Sequence, residues 1–296
     1  MNLVVCICTY KRNNDLIDLL KSFEKAIIPT NINLEFLIVD NTINYNAKKI
    51  IIKFKKNFFY NIKYFCEKKR GVVFARNRCL KEVKNLNCSY FAFFDDDCKI
   101  DKFWFVEFKK IKTRTNAKII TGPQIYPNNH LGNIFEKKIY KNNSFVKWAA
   151  TNNVIMSKNI LITSNIKFDI NLNKFGMGED QLFFLKLSKL GNKIIWNKNL
   201  KVYEKPHLHR KNIKWILQRS FRLGVLGNYI DKSIYGNFLG YIINYLKFIY
   251  YIFGSMIIIF FPFQKFLVQR FINLISRSIG RLMGPFLFKK INFFKK

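Results

Sequence analysis

The sequence predicts an α/β fold in which a mixed, mainly parallel sheet is flanked by helices and followed by a helical C-terminal region. Apolar strand-like runs alternate with helix-like segments through the first half of the chain, as expected of βαβ units. Acidic residues directly follow two of these runs, at the strand ends where ligands of such sheets bind. With 296 residues, 49% of them apolar, the chain can bury a large core, which excludes a disordered tail protein.

The first two predicted strands enclose the first predicted helix. Leu3–Cys8 and Leu34–Val39 are apolar runs, and the second of them ends at Asp40. Asn13 or Asn14 can cap the helix between them. The apolar residues of this helix recur at three- and four-residue spacing, at Leu16, Leu19, Leu20 and Phe23.

The following segments continue the alternation of strands and helices. Ile62–Phe65 is predicted as a third strand and Gly71–Val83 as a helix. Tyr90–Phe94 is predicted as a fourth strand, which the acidic residues 95–97 follow directly. Further along, the sequence predicts one strand and two helices, over Val146–Met156, Gly178–Leu190 and Asn212–Tyr229.

The chain after Asp231 contains ten lysines and arginines and no acidic residue. Phe248–Phe263 is uncharged, and as a helix it would span about 24 Å, less than the roughly 30 Å hydrocarbon core of a bilayer. The segment 264–296 predicts an amphipathic helix with a basic polar face. We therefore expect a catalytic domain over 1–231 and membrane-anchoring helices over 232–296.

The expected anchor is a re-entrant or membrane-lying segment, peripheral or monotopic, on the cytoplasmic face of the cell membrane. The polar face of its second helix carries Gln269, Arg270, Asn273, Ser276, Arg277 and Arg281. The apolar face carries Leu267, Phe271, Leu274, Ile275 and Leu282. The basic residues would contact an anionic membrane surface. A single membrane span and a buried soluble bundle are the alternative interpretations.

The net charge of +34 comes from 52 lysines and arginines against 18 acidic residues. Most of the basic residues are lysines, whereas proteins that read nucleic-acid bases rely on arginine for bidentate contacts. No nucleic-acid partner is therefore expected. The six cysteines form no Cys-x-x-Cys pair and no zinc-like spacing, and the N-terminus lacks the basic segment of a signal peptide. These features favour a reducing cytoplasm.

Because acidic residues are scarce, their clusters indicate where chemistry takes place. Strand alternation directs Asp95 and Asp97 to the same side, where they can share a divalent cation bound to a diphosphate. Glu179 and Asp180 form a second acidic pair. A carboxylate opposite a metal–diphosphate site can take a proton from an attacking hydroxyl. A solvated turn and an ordinary helix N-terminus are the respective alternatives.

Five short motifs together resemble the family 2 glycosyltransferases of the GT-A fold, over about residues 2 to 230. In chain order they are Val4–Arg12, Ile38–Asn41, Gly71–Asn77, Phe93–Asp97 and Gly178–Asp180. The resemblance implies a Rossmann-like GT-A domain that transfers a sugar with inversion and with Mg²⁺ or Mn²⁺. The implied donor is a nucleotide sugar, most often a UDP-sugar, and the implied acceptor is a hydroxyl of a glycan or lipid-linked molecule in cell-surface polysaccharide synthesis. A basic nucleic-acid-binding protein and a catalytically silent membrane scaffold with this fold are the alternatives.

The resemblance implies donor-binding roles for residues of the first four motifs. Thr9 and Asp40 would border the nucleotide base and ribose. Arg76 and Asn77 would lie beside the diphosphate or brace the acidic motif. Asp95 would approach the ribose or the metal.

The metal-binding and catalytic roles are implied by the last two motifs. Asp97, with Asp95, would bind Mg²⁺ or Mn²⁺. Asp180 is the expected general base, and Glu179 is the second candidate. Cys98 stands where the family often has a small or acidic residue, so no further metal ligand is expected there.

The remaining implied site residues lie outside the five motifs. Arg219 and Arg222 are three residues apart on a predicted helix and could clamp a diphosphate, or simply be solvated cations. The residues expected at the acceptor are Trp148, Asn152, Asn153 and His209. Core packing explains Trp148 equally well, and a surface position explains His209.

Overall fold

The computed structural model describes residues 1–56, 58–126, 140–205, 212–260 and 265–290. These residues divide into two compact units. The first unit contains every described strand and the helices that precede residue 190. The second contains residues 174–178 and three long C-terminal helices.

The first unit is built on eleven described strands. They are β1 (Asn2–Thr9), β2 (Asn33–Asp40), β3 (Asn61–Cys66), β4 (Tyr90–Asp95), β5 (Cys98–Ile100), β6 (Ile119–Thr121), β7 (Gln124–Ile125), β8 (Ser144–Val146), β9 (Asn153–Ser157), β10 (Ile194–Trp196) and β11 (Val202–Glu204). Eight of them form a sheet in the order β3-β2-β1-β4-β9-β6-β10-β8, and β5, β11 and β7 form a small second sheet. Neighbours among β3, β2, β1 and β4 are parallel, whereas β9 is antiparallel to β4 and to β6. The predicted mixed, mainly parallel sheet is confirmed.

Helices cover both faces of the large sheet. They are α1 (Asn13–Glu24), α2 (Lys48–Lys55), α3 (Val72–Asn85), α4 (Trp104–Arg114), α5 (Lys158–Ser164) and α6 (Glu179–Lys189), with a short 3-10 helix over Ile170–Phe175. Alternate residues of β1 enter opposite cores, with Val5 and Ile7 in one and Val4 and Cys6 in the other. In the first core, the ring of Phe23 meets a phenylalanine of β2 edge to face, with ring centroids 4.8 Å apart.

Two local expectations are corrected by the structure. Helix α1 has Arg12 as its N-cap residue, without a side-chain capping bond, so neither predicted asparagine caps it. The predicted strand over Val146–Met156 is two strands, because the chain turns between β8 and β9. The amide N–H of Asn153 donates to the carbonyl of Ala150, 3.3 Å away, and closes this turn.

The carboxyl ends of β1, β2 and β4 meet at one edge of the sheet. Thr9 of β1 lies in register with Asp40 of β2, and Cys8 lies in register with Asp95 of β4. Parallel neighbours place the polar residues that follow each strand at the same edge, and this edge therefore holds the expected site.

The second unit is helical. Its long helices are α7 (Ile213–Tyr235), α8 (Asn237–Ile259) and α9 (Lys265–Leu287). The domain boundary predicted at residue 231 falls inside α7, which belongs to the same unit as α8 and α9.

The interior of this helical unit contains a polar cluster beside buried apolar side chains of α7, such as Val225 and Leu226. Buried Asp231 on α7 accepts a hydrogen bond from Arg281 on α9 at 2.8 Å and pairs with Lys247 on α8 at 2.6 Å. The amide oxygen of Asn244 accepts from the same arginine at 2.9 Å. The polar face of the last helix, expected to face outward, is therefore mostly turned inward: Gln269, Asn273, Ser276 and Arg281 are buried. Polar partners on α7 and α8 account for this difference.

Helix α8 is apolar and largely exposed. Its segment Asn237–Ile258 has 22 residues, is apolar enough to cross a membrane, and has 11% of its most apolar stretch buried. At 1.5 Å per residue, this segment is about 33 Å long, against a hydrocarbon core of roughly 30 Å. The apolar helix therefore begins well before Phe248, where the uncharged run starts, because Asn244 and Lys247 find polar partners inside the unit.

Candidate active site

Three consecutive carboxylates follow β4 at the sheet edge. The side chain of Asp95 is 41% exposed, whereas those of Asp96 and Asp97 are 6% and 8% exposed. Two of the three acidic side chains are therefore shielded from water, which has a high cost unless positive or donor groups lie beside them.

The two shielded carboxylates are held by residues of the β1–α1 turn. The hydroxyl of Thr9 donates to Oδ2 of Asp96 at 2.8 Å. A single nitrogen of Arg12, Nη1, donates to Oδ1 of Asp96 at 3.1 Å and to Oδ2 of Asp97 at 2.8 Å. Burial raises the pKa of Asp96 to about 6, against the opposing effects of Arg12 and Thr9. The side chain of Thr9 therefore supports the acidic motif.

The arginine of the third motif joins two acidic motifs. Arg76 is buried; its Nη1 donates to Oε1 of Glu179, and its Nη2 lies 3.4 Å from Oδ1 of Asp95. Its guanidinium also lies 5.9 Å from the ring centroid of Phe168. The structure thus brings together three predicted residues from α3, β4 and the start of α6.

Asp180 and Glu179 differ in their surroundings although they are adjacent. Glu179 is 5% exposed and is paired with Arg76. Asp180 is half-buried, and Oδ1 of its carboxyl accepts from the amide N–H of Gln181 at 2.7 Å. Removal from water and the neighbouring Glu179 charge raise the pKa of Asp180 to about 6, while Arg76 acts in the opposite direction. A carboxylate with this pKa is mostly ionised at neutral pH and is a stronger base than a solvated one.

Two asparagines brace the loops around the site. The amide of Asn77 exchanges two hydrogen bonds with the backbone of Phe168, each 2.9 Å long. The amide of Asn41 donates to the carbonyls of Glu67 and Lys69 and accepts from the N–H of Gly71 at 2.7 Å. Asn77 therefore braces the backbone at Phe168, its predicted role at the diphosphate or the acidic motif stays a prediction, and Asn41 fixes the start of α3.

The carboxylate of Asp40 accepts four hydrogen bonds from neighbouring residues of the fold. It is 0% exposed and accepts from the backbone N–H and the hydroxyl of Thr42, from the N–H of Ala47 and from the hydroxyl of Tyr64, at 2.7 to 3.0 Å. A carboxylate offers about four lone-pair sites, and all are taken. The side chain of Asp40 therefore orders the loop after β2, and a donor nucleotide would have to displace one of these partners to bind it.

The predicted acceptor residues occupy different environments. Trp148 is 40% exposed, so core packing does not account for it. Asn152 is 8% exposed, and its amide oxygen is a buried atom without a hydrogen-bond partner. Asn153 is 1% exposed and bonds the indole of Trp104 and the carbonyls of two loops. We therefore withdraw Asn153 from the acceptor site, and His209 lies outside the described residues.

The two arginines predicted to clamp a diphosphate lie on α7 in the second unit. The guanidinium of Arg219 stacks over the ring of Trp215, with 5.1 Å to the ring centroid. Burial lowers the pKa of Arg222 below its usual value. Their donor-binding role stays a prediction.

Three residues at the site were not singled out from the sequence. Arg12 and Asn41 lie within quoted motifs, but only the fold brings their side chains to partners far along the chain. Glu204 of β11 is paired in register with Cys98, directly after the acidic triplet, and its carboxylate accepts from Tyr126 at 3.0 Å. Its negative charge also acts on Asp95, where it helps to raise the pKa.

The carboxylates suit a divalent cation that arrives with a diphosphate. No group of three or more His, Cys, Asp or Glu side chains among the described residues could hold a metal by itself. Magnesium in such sites is held by one or two carboxylates together with substrate phosphates and waters. Partly exposed Asp95 and the neighbouring Asp97 provide this number of hard oxygen ligands.

Comparisons with known proteins agree with this fold. Residues 4–173 match the family described as "Glycosyl transferase family 2". The chain is 24% identical over 234 residues to the "Succinoglycan biosynthesis protein ExoM" of Rhizobium meliloti (strain 1021), covering 76% of this chain and 73% of that protein.

Two solved structures share the architecture. The mannosyltransferase PcManGT from Pyrobaculum calidifontis, in complex with GDP-Man and Mn²⁺, has a TM-score of 0.62 and 10% identity, over 96% of this chain and 87% of that one. Residues 1–349 of S. aureus TarS, in complex with UDP-GlcNAc, have a TM-score of 0.58 and 17% identity, over 80% and 71% of the two chains. At these identities the structures show a common fold. The family match covers more than half of the chain, so the chain belongs to glycosyl transferase family 2 and is a glycosyltransferase.

Proposed function

We propose that this enzyme transfers a sugar with inversion from a nucleoside-diphosphate sugar to a hydroxyl of a glycan or lipid-linked acceptor. One observation carries the proposal: Arg76 joins Asp95, at the donor side, to Glu179, which adjoins the candidate base Asp180. This connection supports a site in which donor and acceptor chemistry lie side by side, near the carboxyl ends of the strands.

In the proposed reaction, Asp180 takes the proton of the acceptor hydroxyl. The oxygen then attacks the anomeric carbon from the side opposite the diphosphate, and the bond from that carbon to the diphosphate oxygen breaks. Glu179 holds Arg76 in place, and the arginine keeps Asp95 oriented toward the donor. Asp95 and Asp97 would hold Mg²⁺ or Mn²⁺, which neutralises the charge of the leaving nucleoside diphosphate.

A UDP-sugar is the proposed donor, and polysaccharide assembly is the proposed context. UDP-GlcNAc is bound in the TarS structure, and GDP-Man is bound in the mannosyltransferase. The name of the ExoM protein refers to biosynthesis of succinoglycan. These likenesses support a nucleotide-sugar donor and a glycan product.

The direct test is sugar transfer with a panel of nucleotide sugars and Mn²⁺. We expect one donor to raise the melting temperature and to be consumed in the presence of acceptor. Asp97→Ala should abolish transfer, and Asp180→Asn should lower it by about 10² to 10⁴-fold while still binding donor. Asp18→Asn, a 39% exposed acid on α1, is the matched control and should stay active. Full activity in Asp180→Asn would overturn the assignment of the base.

We also propose that the helical unit attaches the enzyme to the cytoplasmic face of a membrane. Buried residues of this unit include Asp231, Asn244 and Arg281, whereas Phe238, Tyr250 and other large apolar residues of α8 are exposed. This inverse pattern favours lipid as the outer neighbour, because polar groups between helices avoid hydrocarbon. Basic residues of the C-terminal region would contact anionic headgroups.

Membrane fractionation tests this attachment. We expect the full-length enzyme to sediment with membranes and to resist extraction at alkaline pH, since such extraction releases peripheral proteins only. Recovery in the soluble fraction without detergent would contradict the proposal.

A further inference from the structure

We propose that Arg12 controls access to the metal site, because its guanidinium and the divalent cation compete for the same atom, Oδ2 of Asp97. The inference rests on the metal-dependent transfer proposed above. It adds a residue that determines when the cation binds.

The contact geometry puts Arg12 where the cation would bind. Its Nη1 lies 2.8 Å from Oδ2 of Asp97, within charge-assisted hydrogen-bond distance. The same nitrogen contacts Asp96 at 3.1 Å, so one positive group neutralises two adjacent carboxylates. A divalent cation and a guanidinium cannot both occupy this position beside Asp97, since their charges repel.

The exposure of these side chains places Arg12 on the solvent side. The side chain of Arg12 is 49% exposed, whereas those of Asp96 and Asp97 are 6% and 8% exposed. A cation that binds Oδ2 of Asp97 therefore displaces the half-exposed arginine side chain.

The backbone at Arg12 is held in place, so that the guanidinium can move while the backbone stays fixed. Lys11 has a φ of 55°, in the left-handed region, and this turn directs the following residue toward the acids. The carbonyl of Arg12 accepts from the N–H of Leu16 at 3.0 Å, which fixes the start of α1. Asp96 also keeps the hydroxyl of Thr9, so it stays in place when the guanidinium leaves Asp97.

The released guanidinium has a second anion to bind when a nucleotide is present. A diphosphate held by the cation would lie beside Arg12 and accept its hydrogen bonds. The cation would then bind weakly alone and strongly with a nucleoside diphosphate. Such coupling keeps the metal site closed until the donor arrives.

The test measures Mn²⁺ binding to the full-length protein in detergent, through the electron paramagnetic resonance signal of free Mn²⁺. In Arg12→Gln we expect the Kd for Mn²⁺ alone to fall about fivefold or more, because the competing charge is gone. We expect added UDP to tighten Mn²⁺ binding less in this variant than in the wild type. Arg12→Lys should lie between the two.

Lys11→Gln is the matched control, since it removes an adjacent, exposed positive charge that makes no contact with Asp97 in the described structure. We expect this change to alter the Kd by less than about twofold. Equal effects of Lys11→Gln and Arg12→Gln would overturn direct competition in favour of general electrostatics. An unchanged Kd for Mn²⁺ in folded Arg12→Gln would also overturn direct competition. In that case, binding of Mn²⁺ with UDP by the wild type would leave the proposed function intact. Failure of the wild type to bind Mn²⁺ even with UDP would overturn both.

Discussion

Arg76 and Glu179 form a buried ion pair although 103 residues separate them in the sequence. The pair connects α3 to the first turn of α6, and the second guanidinium nitrogen of Arg76 reaches Asp95. The buried charge of Arg76 is therefore compensated on both sides. This arrangement separates the roles of the two adjacent acids, because Glu179 is engaged with arginine and Asp180 is not its hydrogen-bond partner.

The ion pair predicts different consequences for changes at the two acids. Glu179→Gln should lower the melting temperature, since Arg76 loses its closer carboxylate and keeps only the partly exposed Asp95, which costs up to about 3–5 kcal/mol. Asp180→Asn should leave the melting temperature nearly unchanged and lower kcat by about 10² to 10⁴-fold. Thermal unfolding and transfer kinetics on both variants check this. If Glu179→Gln is as stable as the wild type and inactive, the roles of the two acids are reversed.

The position of the site could be predicted from the sequence, because acids that follow parallel strands meet at one sheet edge. The side chains that pair with those acids could not be predicted from the sequence. Arg12 reaches Asp97 across 85 residues, and nothing in the local pattern indicates which cation will meet which acid. Asn153 falls where an acceptor residue was expected, but the indole of Trp104 and two carbonyls occupy its amide.

The C-terminal helices show a second limit of sequence patterns. The amphipathic pattern of α9 correctly separates a polar from an apolar face, but a polar face can meet water or the polar groups of other helices. Here the guanidinium of Arg281 donates hydrogen bonds to Asp231 and Asn244 on neighbouring helices. The direction in which the polar face of α9 points therefore depends on its tertiary contacts. The helical periodicity of the sequence does not specify those contacts.

The raised pKa of Asp180 predicts the pH dependence of transfer. A general base must be ionised, and the pKa of this carboxyl is about 6 because of burial and the adjacent Glu179 charge. Activity should therefore rise as pH increases through about 6 and then level off, with loss at lower pH as the carboxylate takes up a proton. The measurement is kcat/KM between pH 4.5 and 8, at about unit intervals, with stability monitored in parallel. An acidic limb centred near 4, the ordinary carboxyl value, would contradict this assignment.

Gly71 should tolerate no side chain. Its φ is 133°, and a Cβ built there would lie 1.7 Å from Oδ1 of Asn173. Gly71→Ala should therefore impose backbone strain and displace the side-chain amide of Asn173, and lower the free energy of unfolding by about 2–4 kcal/mol. Gly191 is the comparison, since its φ of 81° lies nearer the left-handed region that other residues can adopt and nothing lies within 4 Å of its Cβ position. Gly191→Ala should cost only about 1 kcal/mol, and equal losses in denaturant titrations would refute the special conformational demand at Gly71.

The carboxylate of Asp231 should stabilise the helical unit because it compensates the buried positive charge of Arg281. Asp231→Ala leaves Arg281, whose side chain is 7% exposed, without its carboxylate, which should cost about 3–5 kcal/mol. Lys247→Met is the control, because the lysine side chain is 41% exposed and its charge contributes less. Thermal unfolding of the full chain in detergent should show a much larger loss for the aspartate variant. Comparable losses would show that the arginine pair is not the dominant contact.

Removal of the Trp148 indole should weaken binding of the acceptor and leave binding of the nucleotide-sugar donor unchanged. The side chain of Trp148 is 40% exposed in the segment between β8 and β9, which also contains Asn152 of the predicted acceptor region. An exposed indole offers a flat apolar face to a sugar ring. We expect Trp148→Ala to raise KM for the acceptor about three- to tenfold, with KM for the nucleotide sugar unchanged. Phe145, a 63% exposed aromatic residue on the neighbouring β8, is the matched control, and Phe145→Ala should leave both constants unchanged. An equal rise in donor KM would place the indole at the nucleotide instead, since a residue that contacts one substrate alone changes the KM of that substrate alone.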